Sequence, residues 1–490
     1  MLHYPRSMTE LQHAAKATRP RIQPAEEGDR RPLSVSARLG RLQFHQSGKF
    51  RVLQFADIQD GPKVSKDTIS LIEASLDATR PDLVIFNGNQ IAGYDSAYAL
   101  TSRKRRWDAR PASASSKASG ERYAAALEHT RELVRATIEQ LVHPLADRGV
   151  PWAVTFGNHD FQCGLDNAEI ESICREFPGC INPERAADGT TGIAVKHDVG
   201  DMEQDFGLPE QPVIACAPGT FALSVTDVDR TYDVLGLVLL DSGDYARSGG
   251  YGSPSEAALR FLADAPELMA AHRAQLQQDR QDEQDSPREP RKTPSTLPCM
   301  VFQHFPIEQY YRLLKPVAAT AARAIEGYRN FAGRHFVLNE DKTQPGSYLG
   351  EGVSCPDADS GEFAILDKAG YFAISAGHDH RNAFVGSVPV GTDGDRQMMM
   401  VASPTSGFGS YGPVPAKRAA RLFEFDIRHP YEPRTQLLEY DELVGKPSAG
   451  KAYAYGMTSE SKPDSEGMDL LHRPTWWSKT WNKLVSLFRR

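Results

Sequence analysis

Six short apolar runs in this chain end abruptly in side chains that bind metals or transfer protons. The polar groups that follow them begin at Asp57, Asn89, Asn158, Asp241, His304 and His378. A short, continuously apolar run is typical of a strand that is buried on both faces. Because ligands bind at the carboxyl ends of the strands in open α/β sheets, we expect these side chains to converge on one site.

The chemistry of these side chains predicts a metal centre. Imidazole, carboxylate and amide groups together suit a hard or borderline divalent ion. Residues 158–160 or residues 378–380 would by themselves indicate a turn with local side-chain hydrogen bonds, and His304 alone an ordinary buried or surface histidine. The joint occurrence of these groups, each after a predicted strand, favours the metal centre.

The spacing of apolar residues predicts the α/β class. Ile69, Ile72 and Leu76 recur at helical spacing after the first strand, and residues 121–147 predict a second helix. A strand, a helix and a further strand in this order predict a partly parallel sheet covered by helices. The predicted strands are residues 51–56, 82–87, 152–156, 234–240, 299–303, 371–376, 397–402 and 421–427.

Composition limits the classes of function. The chain has 56 basic and 64 acidic side chains, and a net charge of −8 argues against nucleic-acid binding through bulk charge. No apolar run approaches the roughly 20 residues of a membrane-spanning helix, and the N-terminus lacks the apolar core of a signal peptide. Six cysteines without a CxxC pair predict reduced thiols. We therefore expect a cytoplasmic protein.

The ordered motifs resemble those of the calcineurin-like metallophosphoesterases, which are D-x-H, G-D, G-N-H-D/E, H and G-H-x-H. The resemblance is to the purple-acid-phosphatase-like phosphohydrolases and runs from about residue 48 to about residue 430. It rests most firmly on GNHD at 157–160 and GHDH at 377–380. It implies a four-layer α/β/β/α sandwich of two mixed sheets with the helices outside.

The resemblance also implies which residues carry the chemistry. The ligands of two metal ions would be Asp57, Gln59, Asn89 and His380 on one side and Asn89, Asn158, His304 and His378 on the other. His159 would assist the leaving group, and Asp160 belongs to the same catalytic motif. The ions would be Mn²⁺, Fe²⁺ or Mg²⁺, with Zn²⁺ as an alternative. The implied reaction is hydrolysis of a phosphate ester, a small molecule or a phosphoprotein, by metal-activated hydroxide.

Two residues depart from the family pattern. Gln59 stands where the motif has histidine, and Asn89 stands where it has the bridging aspartate. Because Asp57 is then the only carboxylate among the implied ligands, at least the metal on its side should bind weakly unless Asp60 or Asp241 compensates. Three alternatives stay open: a two-metal enzyme with one weak site, a one-metal enzyme, and a non-catalytic phospho-ligand-binding descendant.

Two further features have alternative interpretations. The basic run at 103–107 (RKRRW) is a solvated loop or a loop that attracts an anionic substrate. Asp241, Asp244 and Tyr245 follow a predicted strand, as turn caps or as partners that orient a ligand histidine.

The domain prediction separates a folded domain from polar segments. A flexible N-terminal extension at residues 1–35 precedes a metallophosphoesterase domain at residues 36–445, which has polar insertions near 108–121 and 271–297. A linker at residues 446–468 and a C-terminal helix at residues 469–490 follow. The C-terminal helix is basic and amphipathic, with Trp477 and Trp481 on its apolar stripe. It is predicted to contact a membrane surface through residues 475–490, or to dock on the domain or on a partner subunit.

Overall fold

A computed structural model describes residues 31–108, 117–184, 193–195, 208–283, 295–446 and 448. The predicted linker lies almost entirely outside these residues, and the predicted C-terminal helix lies entirely outside them. Within the described residues, no helix combines the length and apolarity needed to cross a membrane. The division into domains stays a prediction.

One sheet has five strands and is mixed. Its strands are β1 (Lys49–Phe55), β2 (Leu83–Asn87), β3 (Trp152–Thr155), β15 (Ala419–Asp426) and β16 (His429–Glu439). Their order is β16-β15-β1-β2-β3. β1, β2 and β3 run parallel, and β15 pairs with β1 in the antiparallel direction.

A second sheet has eight strands and is also mixed. Its strands are β4 (Ile193–Val195), β5 (Pro212–Ala217), β6 (Thr220–Thr226), β7 (Asp233–Leu240), β8 (Cys299–Gln303), β12 (Ala373–Ala376), β13 (Val385–Val390) and β14 (Arg396–Ala402). Their order is β13-β14-β12-β8-β7-β6-β5-β4, in which β7, β8, β12 and β14 are parallel. A small sheet lies apart, formed by β9 (Leu314–Val317), β10 (Ile325–Glu326) and β11 (His335–Leu338).

The described helices are α1 (Val35–Leu39), α2 (Lys66–Thr79), α3 (Lys117–Arg148), α4 (Asn167–Cys174), α5 (Glu256–Glu283), α6 (Glu362–Ala369) and α7 (Tyr440–Val444). The helix predicted after the first strand is α2, which begins after Ser65, whose hydroxyl accepts from the backbone N–H of Asp67. Ile72 and Leu76 are fully buried on its inner face.

The two large sheets pack face to face. Val52 and Ile85 of the five-stranded sheet pack with Leu237 and Phe302 of the eight-stranded sheet in one buried cluster. On the opposite face of the five-stranded sheet, Leu76 of α2 belongs to a separate cluster with residues of α3 and α4. A third cluster joins α5 and α6 to the outer face of the eight-stranded sheet. These layers confirm the predicted α/β/β/α sandwich.

All eight predicted strands exist, with ends shifted by up to two residues. They are β1, β2, β3, β7, β8, β12, β14 and β15. Among the described residues the prediction missed β5, β6, β13 and β16 in the large sheets, together with short β4 and the whole small sheet. The predicted second helix is longer than expected, because α3 begins at Lys117 inside the predicted insertion.

Candidate metal centre

Loops that follow five strands bring the predicted site residues to one edge of the sandwich. Asp57 follows β1, Asn89 follows β2, Asn158 follows β3, His304 follows β8, and His378 and His380 follow β12. These side chains and Gln59 are all at most 6% exposed. The convergence follows from the fold, because the carboxyl ends of parallel strands meet at one edge of a sheet.

Asp57 lies among three histidines. Its Oδ1 is 3.3 Å from His380 Nε2 and 3.8 Å from His304 Nε2, and its Oδ2 accepts a hydrogen bond of 2.7 Å from the backbone N–H of His378. Burial by itself would raise the pKa of Asp57, but the neighbouring histidines lower it well below its ordinary value. Asp57 is therefore an ionised carboxylate at the bottom of the site.

His378 has the most unusual environment in the centre. Both of its ring nitrogens are buried and have no hydrogen-bond partner among the described residues. The ring packs edge-on against Tyr251 and Phe305, with centroids 4.3 and 4.7 Å away. Burial lowers the pKa of His378 well below its ordinary value, so the imidazole is neutral, which is the form that binds a metal.

One group of side chains fits a metal ion. Ligand atoms of Asp57, His304 and His378 all lie within 4.8 Å of one another, and no other such set of carboxylate, imidazole or thiol groups occurs in the described residues. Leaving a buried polar group without a partner costs about 1–3 kcal/mol. A divalent ion would supply the partner that His378 lacks, so these residues fit the metal that the fold implies.

Asn89 acts as a hydrogen-bond donor inside this group. Its Nδ2 lies 3.2 Å from Asp57 Oδ1, 3.2 Å from Asn158 Oδ1 and 2.9 Å from His304 Nε2. Its Oδ1 accepts from the backbone N–H of His159 at 2.9 Å. The amide nitrogen thus faces the ligand atoms where the family motif has an anionic bridge. The role of Asn89 as a metal ligand stays a prediction.

Backbone conformation brings these loops close. Asp57, Gln59, Asn89 and His378 all have φ between 44° and 68°, a left-handed region that costs a non-glycine residue about 1–3 kcal/mol. At Gly157, a Cβ atom would lie 2.2 Å from Asn89 Oδ1, so only glycine permits this approach.

Gln59 and His380 are engaged by protein groups. Gln59 Oε1, the atom that would bind a metal, accepts a hydrogen bond of 3.2 Å from the hydroxyl of Tyr94. His380 Nδ1 lies 2.6 Å from the carbonyl oxygen of Tyr411, and the two rings stack with centroids 4.2 Å apart. Burial alone would lower the pKa of His380, but ionised Asp57 raises it above its ordinary value.

His159 lies beside the ligand group. Its Nδ1 is 2.7 Å from Gln162 Oε1, and its Nε2 is 3.3 Å from Asn158 Nδ2. The ring of Tyr94 packs edge-on against it at 4.9 Å. Burial lowers the pKa of His159 to about 4. A hydrogen bond from Nδ1 to Gln162 leaves the lone pair on Nε2.

Asp160 connects two of the strand-end loops. Its carboxylate accepts from the backbone N–H groups of Asn89, Gln90, Ile91 and Gly157 at 2.7–3.2 Å. Burial nevertheless raises the pKa of Asp160 to about 7. Asp160 thus connects the backbone of the loop after β2 to that of the loop after β3. Its catalytic role stays a prediction.

Neither candidate for charge compensation points into the site. Asp60 Oδ2 accepts from Ser65 N and Thr68 Oγ1 at the start of α2. Asp241 forms a two-pronged ion pair with Arg106 at 2.8 and 3.0 Å. Asp57 therefore remains the one carboxylate in the ligand set implied by the motifs.

Sequence reasoning missed two residues that hold the site. Gln162 fixes His159 from three positions along the chain, in a 3₁₀ turn (Asp160–Cys163) that the motif spacing could have suggested. Tyr411 supports His380 from a loop 31 residues away, and no sequence pattern marks it.

Comparison with known proteins finds distant, phosphatase-like relatives. No protein-family model matches the chain. "Phosphatase DCR2" of Saccharomyces cerevisiae is 21% identical over 383 residues, and "Probable inactive purple acid phosphatase 28" of Arabidopsis thaliana is 23% identical over 406 residues. At this level of identity, the chain is similar to proteins named as phosphatases and as purple acid phosphatases. "Probable inactive purple acid phosphatase 29" of the same plant is 20% identical over 478 residues.

The extent of these matches differs. The yeast match covers 72% of this chain but 47% of the yeast protein, so the chain spans about half the length of that relative. The match to the plant protein numbered 29 covers 93% of this chain and 92% of the relative. The purple-acid-phosphatase-like relatives support a phosphoesterase-type function, and the plant names include the words "probable inactive".

Solved structures match weakly. PhoD matches with a TM-score of 0.35 and 12% identity, over 81% of this chain and 69% of that one. "GAP50 the anchor in the inner membrane complex of Plasmodium" matches with a TM-score of 0.36 and 10% identity, over 81% and 86%. The assignment of the sandwich fold therefore rests on sheet order and layering.

Proposed function

We propose that the chain is a metal-dependent phosphohydrolase in which Asp57, His304 and His378 hold a divalent ion and His159 assists the leaving group. The observation that carries this proposal is His378, a neutral imidazole buried beside an ionised carboxylate, with neither ring nitrogen partnered within the described part of the chain. When bound, the ion would polarise the phosphate and lower the pKa of an attacking water.

The protein side chains around the ion would position the phosphate ester. Asn89 Nδ2 lies within 3.2 Å of Asp57 Oδ1, Asn158 Oδ1 and His304 Nε2, and its two hydrogens are shared among these atoms without adding negative charge. Gln162 fixes the ring of His159 so that Nε2 faces Asn158. In this tautomer Nε2 must gain a proton before it can donate one to the leaving oxygen.

A second candidate function is phosphate-ester binding without turnover. It is favoured by the amide nitrogen of Asn89, which faces the ligand atoms where the family motif has a bridging carboxylate. The names of the plant relatives, which include the words "probable inactive", agree with this alternative.

Metal add-back to metal-stripped protein separates the two candidates. Hydrolysis of p-nitrophenyl phosphate and of bis-p-nitrophenyl phosphate would be followed with Mn²⁺, Fe²⁺, Mg²⁺ or Zn²⁺, while bound metal is counted by mass spectrometry. We expect metal-dependent turnover with one ion per chain. The variant H159A should bind the same amount of metal and turn over at least about 100-fold more slowly, the lower range for general acid–base catalysis. One bound ion without turnover would reject hydrolysis in favour of the binding function, and the absence of bound metal would overturn the metal-dependent hydrolase.

A further inference from the structure

The basic loop at 103–108 packs beside the candidate metal centre. The backbone N–H of Arg103 donates to the carbonyl oxygen of Gln162 at 3.0 Å, and Gln162 Nε2 donates to the carbonyl oxygen of Lys104 at 3.2 Å. On the other side, the backbone N–H of Arg106 donates to Asp244 Oδ2 at 2.8 Å. The loop is thus attached both to the residue that orients His159 and to the segment after β7.

Two of the three arginines in this loop have structural partners. Arg106 forms its two-pronged ion pair with Asp241, so its charge is compensated. Arg103 directs its guanidinium to the carbonyl oxygens of Arg106 and Leu165. Arg106 is therefore neutralised by a carboxylate, whereas Arg103 makes only long hydrogen bonds, of 3.4 and 3.5 Å, to carbonyl oxygens.

Arg105 differs from both. Its guanidinium carbon lies 3.8 Å from the centroid of the Tyr245 ring, and its Nη1 donates to the carbonyl oxygen of Lys104 at 3.0 Å. Among the described residues it has no carboxylate partner. Stacking on an aromatic ring uses the face of a guanidinium and leaves most of its N–H edge available to an anion.

Tyr245 connects Arg105 to the candidate ligands. Its hydroxyl accepts a hydrogen bond of 2.8 Å from Asn158 Nδ2, and Asn158 Oδ1 lies 3.0 Å from His304 Nε2. Tyr245 also stacks on Tyr251, whose ring contacts His378. A cation held on Tyr245 is therefore one side chain away from Asn158.

From this arrangement we infer that Arg105 binds the phosphoryl group of the substrate and favours phosphate monoesters over diesters. The inference deepens the proposed function and rests on it. Near neutral pH a monoester carries close to two negative charges and a diester carries one. A planar guanidinium fork matches two phosphate oxygens, and hydrogen bonds to charged groups are the stronger class. A cation that forms no ion pair among the described residues and lies beside the site therefore favours the more highly charged ester.

The test compares Arg105 with its neighbour Lys104. Both are cations on the same loop. The side chain of Lys104 is exposed, and among the described residues no contact holds it near the candidate metal centre. Variants R105A, R105K and K104A would be loaded with Mn²⁺. Calorimetry would measure the binding of inorganic phosphate, and initial rates would give KM and kcat for p-nitrophenyl phosphate and its bis ester.

For R105A we expect phosphate affinity to fall about 10–100-fold, in keeping with the loss of a charge-assisted hydrogen bond. KM for the monoester should rise by a similar factor, kcat should change less than about 3-fold, and KM for the diester should change less than about 3-fold. R105K should fall between R105A and the unmodified protein, because it keeps the charge and loses the fork. K104A should behave like the unmodified protein.

Two results would overturn the inference. One is unchanged phosphate affinity together with an unchanged monoester-to-diester ratio in R105A. The other is an equal loss in K104A, which would indicate bulk charge. If the unmodified protein binds phosphate but hydrolyses neither ester, the proposed hydrolysis fails while calorimetry still decides the role of Arg105. A thermal melt of each variant would show whether it is folded.

Discussion

The two sides of the candidate metal centre are built differently. We call Gln59, Asn89 and His380 the amide side, after the two amide side chains in it. We call His304 and His378 the imidazole side. On the amide side, Gln59 and His380 have hydrogen-bond partners in Tyr94 and Tyr411, and Asn89 donates toward the ligand atoms. On the imidazole side, no described residue hydrogen-bonds either ring nitrogen of His378. The hydrogen-bonding atoms of the amide side are thus engaged by protein groups, whereas His378 on the imidazole side leaves two nitrogens available to a metal ion.

Electrostatics gives the same division. Ionised Asp57 raises the pKa of His380, whereas burial lowers the pKa of His378. The first histidine is thus suited to pair with a carboxylate and the second to bind a metal as neutral imidazole. A single carboxylate offsets half the charge of one dication and a quarter of the charge of two. This division supports the proposal of a single ion held mainly by the imidazole side.

The largest expected effect comes from removing the unpartnered ring. His378→Ala should abolish measurable turnover and weaken metal affinity more than about 100-fold, because outer-shell partners of a metal site are already worth about 10–100-fold. Metal titration followed by mass spectrometry measures the affinity. The exposed His429 provides a control, since H429A should bind metal normally. Full metal binding by H378A would break the division into two sides.

Adding the missing carboxylate tests the amide side. In Asn89→Asp, a carboxylate oxygen would stand about where Nδ2 now lies, 3.2 Å from Asp57 Oδ1. Uncompensated buried charge of this kind costs about 3–5 kcal/mol, so the metal-free variant should unfold at lower urea concentration. Saturating Mn²⁺ should restore its stability and raise the stoichiometry to two ions. The variant N89A removes the amide without adding charge, and it should not gain a second ion.

The position of the site could be predicted from the sequence because the signal is local. Each apolar run ends at a strand end, and parallel strand ends meet at one edge, so Asp57, Asn158 and His304 come together as expected. The sandwich fold could be predicted as well, because the family resemblance rests on the motifs that contain these residues. The missed strands β5 and β6 are fully or largely buried yet carry no polar ligand at their ends, so nothing in the sequence marked them as part of the site.

The sequence could not predict which protein groups form hydrogen bonds with the candidate metal ligands. Asn89 was expected to be a weak bridge, but the direction of its amide depends on the backbone N–H of His159, which faces its oxygen. Tyr411 reaches His380 across 31 residues, and Asp241 turns to Arg106, which is 135 residues away. Such contacts follow from tertiary packing, and a motif does not encode them.

A smaller effect is expected from Glu362, whose ionisation should make the stability of the protein depend on pH. Burial raises the pKa of Glu362 to about 7, and a hydrogen bond with Gln303, the neighbour of His304, lowers it only in part. Between about pH 4.5 and 7 the folded protein holds a proton that the unfolded chain has lost. The free energy of unfolding should therefore fall by about 3 kcal/mol as the pH rises through this range.

Glu362→Gln should remove this contribution to the pH dependence and leave the protein more stable above pH 7. Urea unfolding at several pH values measures the difference. The exposed Glu340 supplies the matched control, because E340Q should follow the unmodified protein throughout. An unchanged pH profile in E362Q would mean that this carboxyl is ionised in the folded protein.

The smallest expected effect concerns what prevents a metal ion from binding on the amide side. Tyr94→Phe removes the hydroxyl that occupies Gln59 Oε1 and keeps the ring that packs against His159. Because Tyr94 is 52% exposed, the loss of this hydrogen bond should lower stability by less than about 1 kcal/mol. Metal stoichiometry should stay at one, since a freed carbonyl oxygen adds no charge. Metal counting in Y94F and Y94A, with thermal melts, measures both quantities. A second ion bound by Y94F would show that the tyrosine hydroxyl, rather than the missing carboxylate, keeps metal from the amide side.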